Sequence, residues 1–247
     1  MVNFKSVIGV DFYEKTKEFE KKDGIISIVY YFYYSLLIFL FGLIMFKTSL
    51  YGDLSGNIAN KQLYKFLFYF PISILALAPI FFTIKIKNQK FESLGMKARK
   101  NLKSIILGII FSLPFVLPSI IINITQGARV LNLADCFWLF LYFFVHIAFV
   151  EEIAFRGFIQ TRIQGLIKNK WASILVVGIM FALMHIPFQM ILANMSFIDF
   201  IIYDWAHLLV TFLIHIYLVY LYTRDNNILS TTVTHTLIDF IPSMFLV

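Results

Sequence analysis

The stretch "IISIVYYFYYSLLIFLFGLIMF", residues 25–46, runs without a single charge. A helix needs about 20 apolar residues to cross a hydrocarbon core about 30 Å thick, so this stretch predicts a transmembrane helix. The whole chain has the same character, because 60% of its 247 residues are hydrophobic and only 14% are charged, far from the balance of a soluble domain. Further apolar runs at 66–84, 102–124, 134–160, 171–191, 204–223 and 228–247 read as spans. The stretch 187–203 begins with Pro187 and contains Asn194 and Asp199, which predicts a loop or re-entrant segment. The expected fold is therefore an all-α polytopic transmembrane bundle of seven spans, or eight if 187–203 crosses. Three parts are expected: an N-terminal segment 1–24, three helices within 25–133, and a core of helices within 134–247.

The first 24 residues carry five Lys and five acidic residues, and the apolar run behind them is too long for the h-region of a signal peptide. A retained anchor is expected. The net charge of +7 is concentrated before the first span (Lys5, Lys15, Lys17, Lys21, Lys22) and after the second (Lys85, Lys87, Lys90, Lys97, Arg99, Lys100, Lys103), while the loops after spans one and three hold three basic residues and one. That alternation is the positive-inside bias. It places the N-terminus and loops 85–103 and 161–170 in the cytoplasm and makes anionic lipid headgroups the partner of these lysines, with no need for nucleic acid. Cys136 is the single cysteine and fits no metal or disulfide pattern. No internal repeat, linker or low-complexity tract divides the chain.

Against this background "FVEEIAFRGF", residues 149–158, is anomalous. A charged residue at a bilayer centre costs about 2.5–3.5 kcal/mol on insertion scales and is functional by default, yet Glu151, Glu152 and Arg156 sit in the continuation of a span, and Asp239 in another. Glu152 and Arg156 are i,i+4 and can pair on one helix face. Glu151 points about 100° away from its neighbour and is left without a local partner. Two histidines offer one: "FALMHIP" places His185 four residues after Phe181, and "THTLIDF" puts His235 and Asp239 on one face of the last helix. A carboxylate with two imidazoles in a dehydrated bundle can take a proton from water, orient that water and stabilise an oxyanion, the equipment of amide hydrolysis. The same residue types can ligate zinc, although no H-E-x-x-H is present and the sequence leaves the cofactor unknown. His146 lies about 140° around an α-helix from Glu151, which predicts packing or an interhelical hydrogen bond on another face. His207 and His215 flank Thr211 and could line a polar seam.

The order E-E-x-x-x-R at 151–156, F-x-x-x-H at 181–185 and His235 in the last helix resembles the CAAX-protease and bacteriocin-processing (CPBP) family of intramembrane endopeptidases, over roughly residues 134–247. The resemblance implies an embedded protease in which Glu151, helped by His185, delivers water, His235 and the residue four positions later form the oxyanion site, and Glu152 and Arg156 shape it. The family often has Asn at that last position. Here Asp239 donates a hydrogen bond only when protonated, and binding a metal or fixing His235 are its alternatives. The implied substrate is a peptide or membrane protein, in bacteriocin maturation, self-immunity or peptide signalling, and the Ile/Lys/Asn/Phe-rich composition suggests a bacterial plasma membrane. Two other classes compete: an ion-coupled transporter, which also buries acidic residues and histidines, and a non-catalytic immunity protein on the same scaffold.

Overall fold

The computed structural model describes residues 9–12, 18–56, 58–97 and 101–246. Lys5, Lys15, Lys17, Arg99 and Lys100 of the charge pattern lie outside the described residues. Helix α1 (Lys21–Lys47) opens where the Glu20 backbone N–H donates to Asp23 Oδ2 at 3.0 Å, satisfying one of the polar groups a helix end leaves open. A short α2 (Leu50–Ser55) leads to α3 (Lys61–Ile86), capped by the Asn60 side chain, which accepts the Leu63 N–H. Lys87 at the end of α3 meets Asp23 at 2.7 Å, tying the start of α1 to it. Then follow α4 (Asn101–Thr125), α5 (Leu133–Gly165), α6 (Lys170–Ala193), α7 (Phe197–Asp225) and α8 (Ile228–Ser243). Six of these, α1 and α3 to α7, are long and apolar enough to cross a membrane, while α8 has 16 residues.

The stretch 187–203 differs from expectation. α6 continues through Pro187 to Ala193, Asn194 turns the chain in the left-handed region (φ 56°), and α7 begins at Phe197 behind the Ser196 cap. Proline inside a membrane helix is tolerated where neighbouring groups satisfy the freed carbonyl. Asp199 sits in the first turn of α7, where a negative charge suits the helix dipole, so neither residue breaks a helix here. The predicted start at 204 coincides with a kink, since Asp204 has φ −108° and ψ 16°.

α5 is the post around which the bundle is built. Every residue from Val150 to Ile163 is buried, as expected of a helix enclosed on all sides, against a core that includes Tyr30, Ile80, Leu94, Phe181 and Tyr222. Close approach depends on Gly157, where a Cβ would lie 2.7 Å from the Leu94 carbonyl oxygen. α8 packs on α4 in the same manner: a Cβ at Gly108 would lie 2.6 Å from the Ser230 carbonyl oxygen, and Thr234 Oγ1 donates to the Gly108 carbonyl at 2.8 Å. Such small-residue contacts are how helices associate without a hydrophobic drive between them. After α8, strand β2 (Phe245–Leu246) pairs antiparallel with β1 (Arg129–Val130), which precedes α5, so both belong to one end of the bundle. The outer face is apolar, with Phe32, Phe82, Leu102 and Trp205 all more than 60% exposed, as lipid requires.

Candidate active site

Three helices deliver the candidate residues: α5 brings Glu151, Glu152 and Arg156, α6 brings Phe181 and His185, and α8 brings His235 and Asp239. Glu152 and Arg156 are fully buried and meet at 3.0 Å, and the same Glu152 oxygen accepts the His235 Nδ1–H at 2.8 Å. A carboxylate can only accept, so the proton of that bond sits on Nδ1 and His235 presents its Nε2 to the site, 3.4 Å from Asp239 Oδ2 and 3.9 Å from Glu151 Oε2. Glu152 is thus more than half of an ion pair: it sets the orientation of an imidazole 83 residues away.

His185 is fixed by similar logic. Its Nδ1 donates to the Phe181 carbonyl at 2.8 Å, leaving Nε2 as an acceptor. The Phe181 ring carries the Arg156 guanidinium carbon 4.3 Å from its centroid and lies 5.0 Å from His185 and 6.4 Å from His235. The F-x-x-x-H spacing therefore has a physical content, because one residue holds the histidine with its carbonyl and separates it from the arginine with its ring.

Glu151 is the carboxylate left over. It is 9% exposed, and its Oε2 has no hydrogen-bond partner among the described residues. It lines a cavity of about 130 Å³ together with His185, His146, Tyr34, Tyr142 and Gln189. Glu151 and His185 share this wall, while Glu152, Arg156, His235 and Asp239 are not part of the lining, His235 Nε2 standing 3.9 Å from Glu151 Oε2. The six residues expected to make the site thus converge.

Residues 133–241 match the family model described as type II CAAX prenyl endopeptidase Rce1-like. That segment is similar to the type II CAAX prenyl endopeptidases, in keeping with the CPBP resemblance of its motifs. The match spans α5 to α7 and most of α8, while α1 to α4 lie outside it. No curated protein and no solved structure matches the chain. Among the described residues no three His, Cys, Asp or Glu side chains are grouped so as to hold a metal ion.

His146 falls where the sequence did not place it. It donates or accepts a hydrogen bond with Ser73 of α3 (Nδ1 to Oγ 2.7 Å), the interhelical bond expected, yet it also lines the same cavity as Glu151. The reason is that residues Tyr142–Phe149 of α5 form a π-helix. Its i→i+5 pattern turns less per residue than an α-helix, so positions five apart come to one face. Ser73 and Gln189 were missed altogether, since isolated polar residues in apolar runs carry no motif. His207 and His215 do not reach the cavity. His215 is closed in a buried bond with Gln160 (3.3 Å), and His207 pairs with Asp204 (3.0 Å) on the exposed side of α7.

Proposed function

We propose that this protein hydrolyses a peptide bond inside the membrane, with Glu151 as general base. The observation that carries this reading is the division of labour between adjacent carboxylates: Glu152 is engaged by Arg156 and His235, whereas Glu151 faces a cavity with no fixed partner on Oε2. A water in that cavity gives a proton to Glu151, oriented by the acceptor Nε2 of His185, and its oxygen attacks the scissile carbonyl carbon. The carbonyl electron pair moves to oxygen. The resulting oxyanion is held by His235 and Asp239, each donating when protonated. Collapse of the intermediate breaks the C–N bond, and the leaving amine takes the proton back from Glu151.

The substrate is a peptide or membrane-associated protein, in bacteriocin maturation, self-immunity or peptide signalling, in a bacterial plasma membrane with the N-terminus cytoplasmic. The lysine-rich loops rest on anionic headgroups. The test is cleavage of a peptide substrate by purified, detergent-solubilised protein. Glu151→Gln should lower the rate by at least about two orders of magnitude, the scale of general-base catalysis, with insertion intact. Cleavage at the wild-type rate would remove Glu151 from the reaction.

A further inference from the structure

We infer that the cavity is entered from the side of the membrane opposite the basic loops, so that the peptide it cuts is an exported or membrane-anchored one whose cleavable, apolar segment lies on the extracytoplasmic side. This rests on the protease reading for the word "cuts" and on the structure for the direction of access.

The bundle has one sealed end. From Glu151 toward Gly165 no residue of α5 up to Ile163 is exposed. Beyond the site stands Arg162, 1% exposed, whose guanidinium donates to Gln89 Oε1 (2.7 Å), Ser93 Oγ (2.9 Å) and the Gly157 carbonyl (3.0 Å) and lies 4.6 Å from the rings of both Phe19 and Phe158. Gly165 is pressed on the Glu20 backbone. Water or peptide arriving from this end meets a closed polar plug.

The other end is open. In the direction away from the plug the cavity wall passes through Tyr142 and Ile147 of α5 and ends at Phe188 and Gln189 of α6, both partly exposed and within a turn or so of the end of that helix at Ala193. α8 shows the same gradient: Thr234, His235 and Thr236 are buried, whereas Leu237 to Phe240 are partly exposed, and the Asp239 side chain is 30% exposed beside a His235 at 8%.

Charge assigns the ends. Among the described residues only Lys47, Lys61, Lys65 and Arg129 stand at the open end or in its first turns, while the other basic residues, Arg156 excepted, belong to the plugged end. Basic residues near span ends mark the cytoplasm. The plug is therefore cytoplasmic and the mouth faces outward. The lining of Tyr34, Phe41, Met184 and Phe188 suits an apolar segment entering beside the acidic base.

The experiment is cysteine labelling of intact cells with a membrane-impermeant maleimide, in a background where Cys136 is replaced by Ser. Gln189→Cys probes the mouth, Gln126→Cys the exposed turn at the same end, and Lys90→Cys the plugged end. Gln126→Cys and Gln189→Cys should react at least about tenfold more than Lys90→Cys, the difference vanishing on permeabilisation, if charge bias sets orientation as usual. Labelling of Lys90→Cys with Gln126→Cys protected would overturn the orientation, and that pair decides it even if Gln189→Cys fails to fold. Gln126→Cys labelled with folded Gln189→Cys silent until permeabilisation or denaturation would overturn the outward mouth. Access is read without cleavage, so the same pattern in the Glu151→Gln variant keeps this inference separate from the protease reading.

Discussion

One oxygen of Glu152 meets both the guanidinium of Arg156 and the imidazole of His235, and this shared use separates two outcomes that a simple ion pair would not. Removing one member of a buried pair costs on the order of 3–5 kcal/mol, because the remaining charge stays desolvated. Glu152→Ala should therefore lower folded yield and thermal stability in detergent much more than Glu151→Gln. A charge swap, Glu152→Arg with Arg156→Glu, should recover part of that stability and none of the cleavage, since an arginine at 152 cannot accept the His235 Nδ1–H. Recovery of cleavage by the swap would show that Glu152 serves only as a counter-ion. Measuring melting and turnover on the same preparations distinguishes the two.

Helix contacts here rest on glycines that no motif announces. A methyl group at Gly157 meets backbone, the Leu94 carbonyl at 2.7 Å, whereas one at Gly52 in α2 meets nothing within 4 Å. Gly157→Ala should destabilise by about 1–3 kcal/mol, the cost of overpacking, and Gly52→Ala should be neutral or slightly stabilising in a thermal unfolding series. Equal behaviour of the two would mean that α5 shifts freely against residues 91–95. Much at this scale was legible from sequence. The apolar runs located the helices, because bilayer thickness imposes a length that hydropathy reveals. The E-E-x-x-x-R and F-x-x-x-H spacings located residues that do converge. What stayed hidden depends on context: Pro187 read as a break because its missing N–H is costly in isolation, and His146 read as facing away because 100° per residue was assumed where the backbone is π-helical.

Across the whole molecule, the helices of the matched segment carry Glu151 and His185, while α1 and α3, outside the match, supply much of the opposite wall through Tyr34, Ile38, Tyr69 and Ser73. On the proposed reading, chemistry and selectivity are lodged in different parts of the chain. Ile38→Trp, which narrows the cavity without touching a titratable group, should raise KM about tenfold and change kcat by less than about threefold, as expected for lost binding common to ground and transition states. A kcat collapse with KM unchanged would instead place Ile38 against the reacting atoms. Steady-state kinetics on a series of peptides of different bulk would measure this directly.

The His235–Glu152 bond joins residues 83 positions apart, and this has a bearing on time as well as space. Synthesis adds about 5–20 residues per second, so α5 with Glu151, Glu152 and Arg156 is made roughly 4–17 s before the imidazole that completes the set. During that interval a newly inserted chain holds Glu152 and Arg156 without the imidazole that Glu152 orients, and the set is complete only when α8 docks on α4.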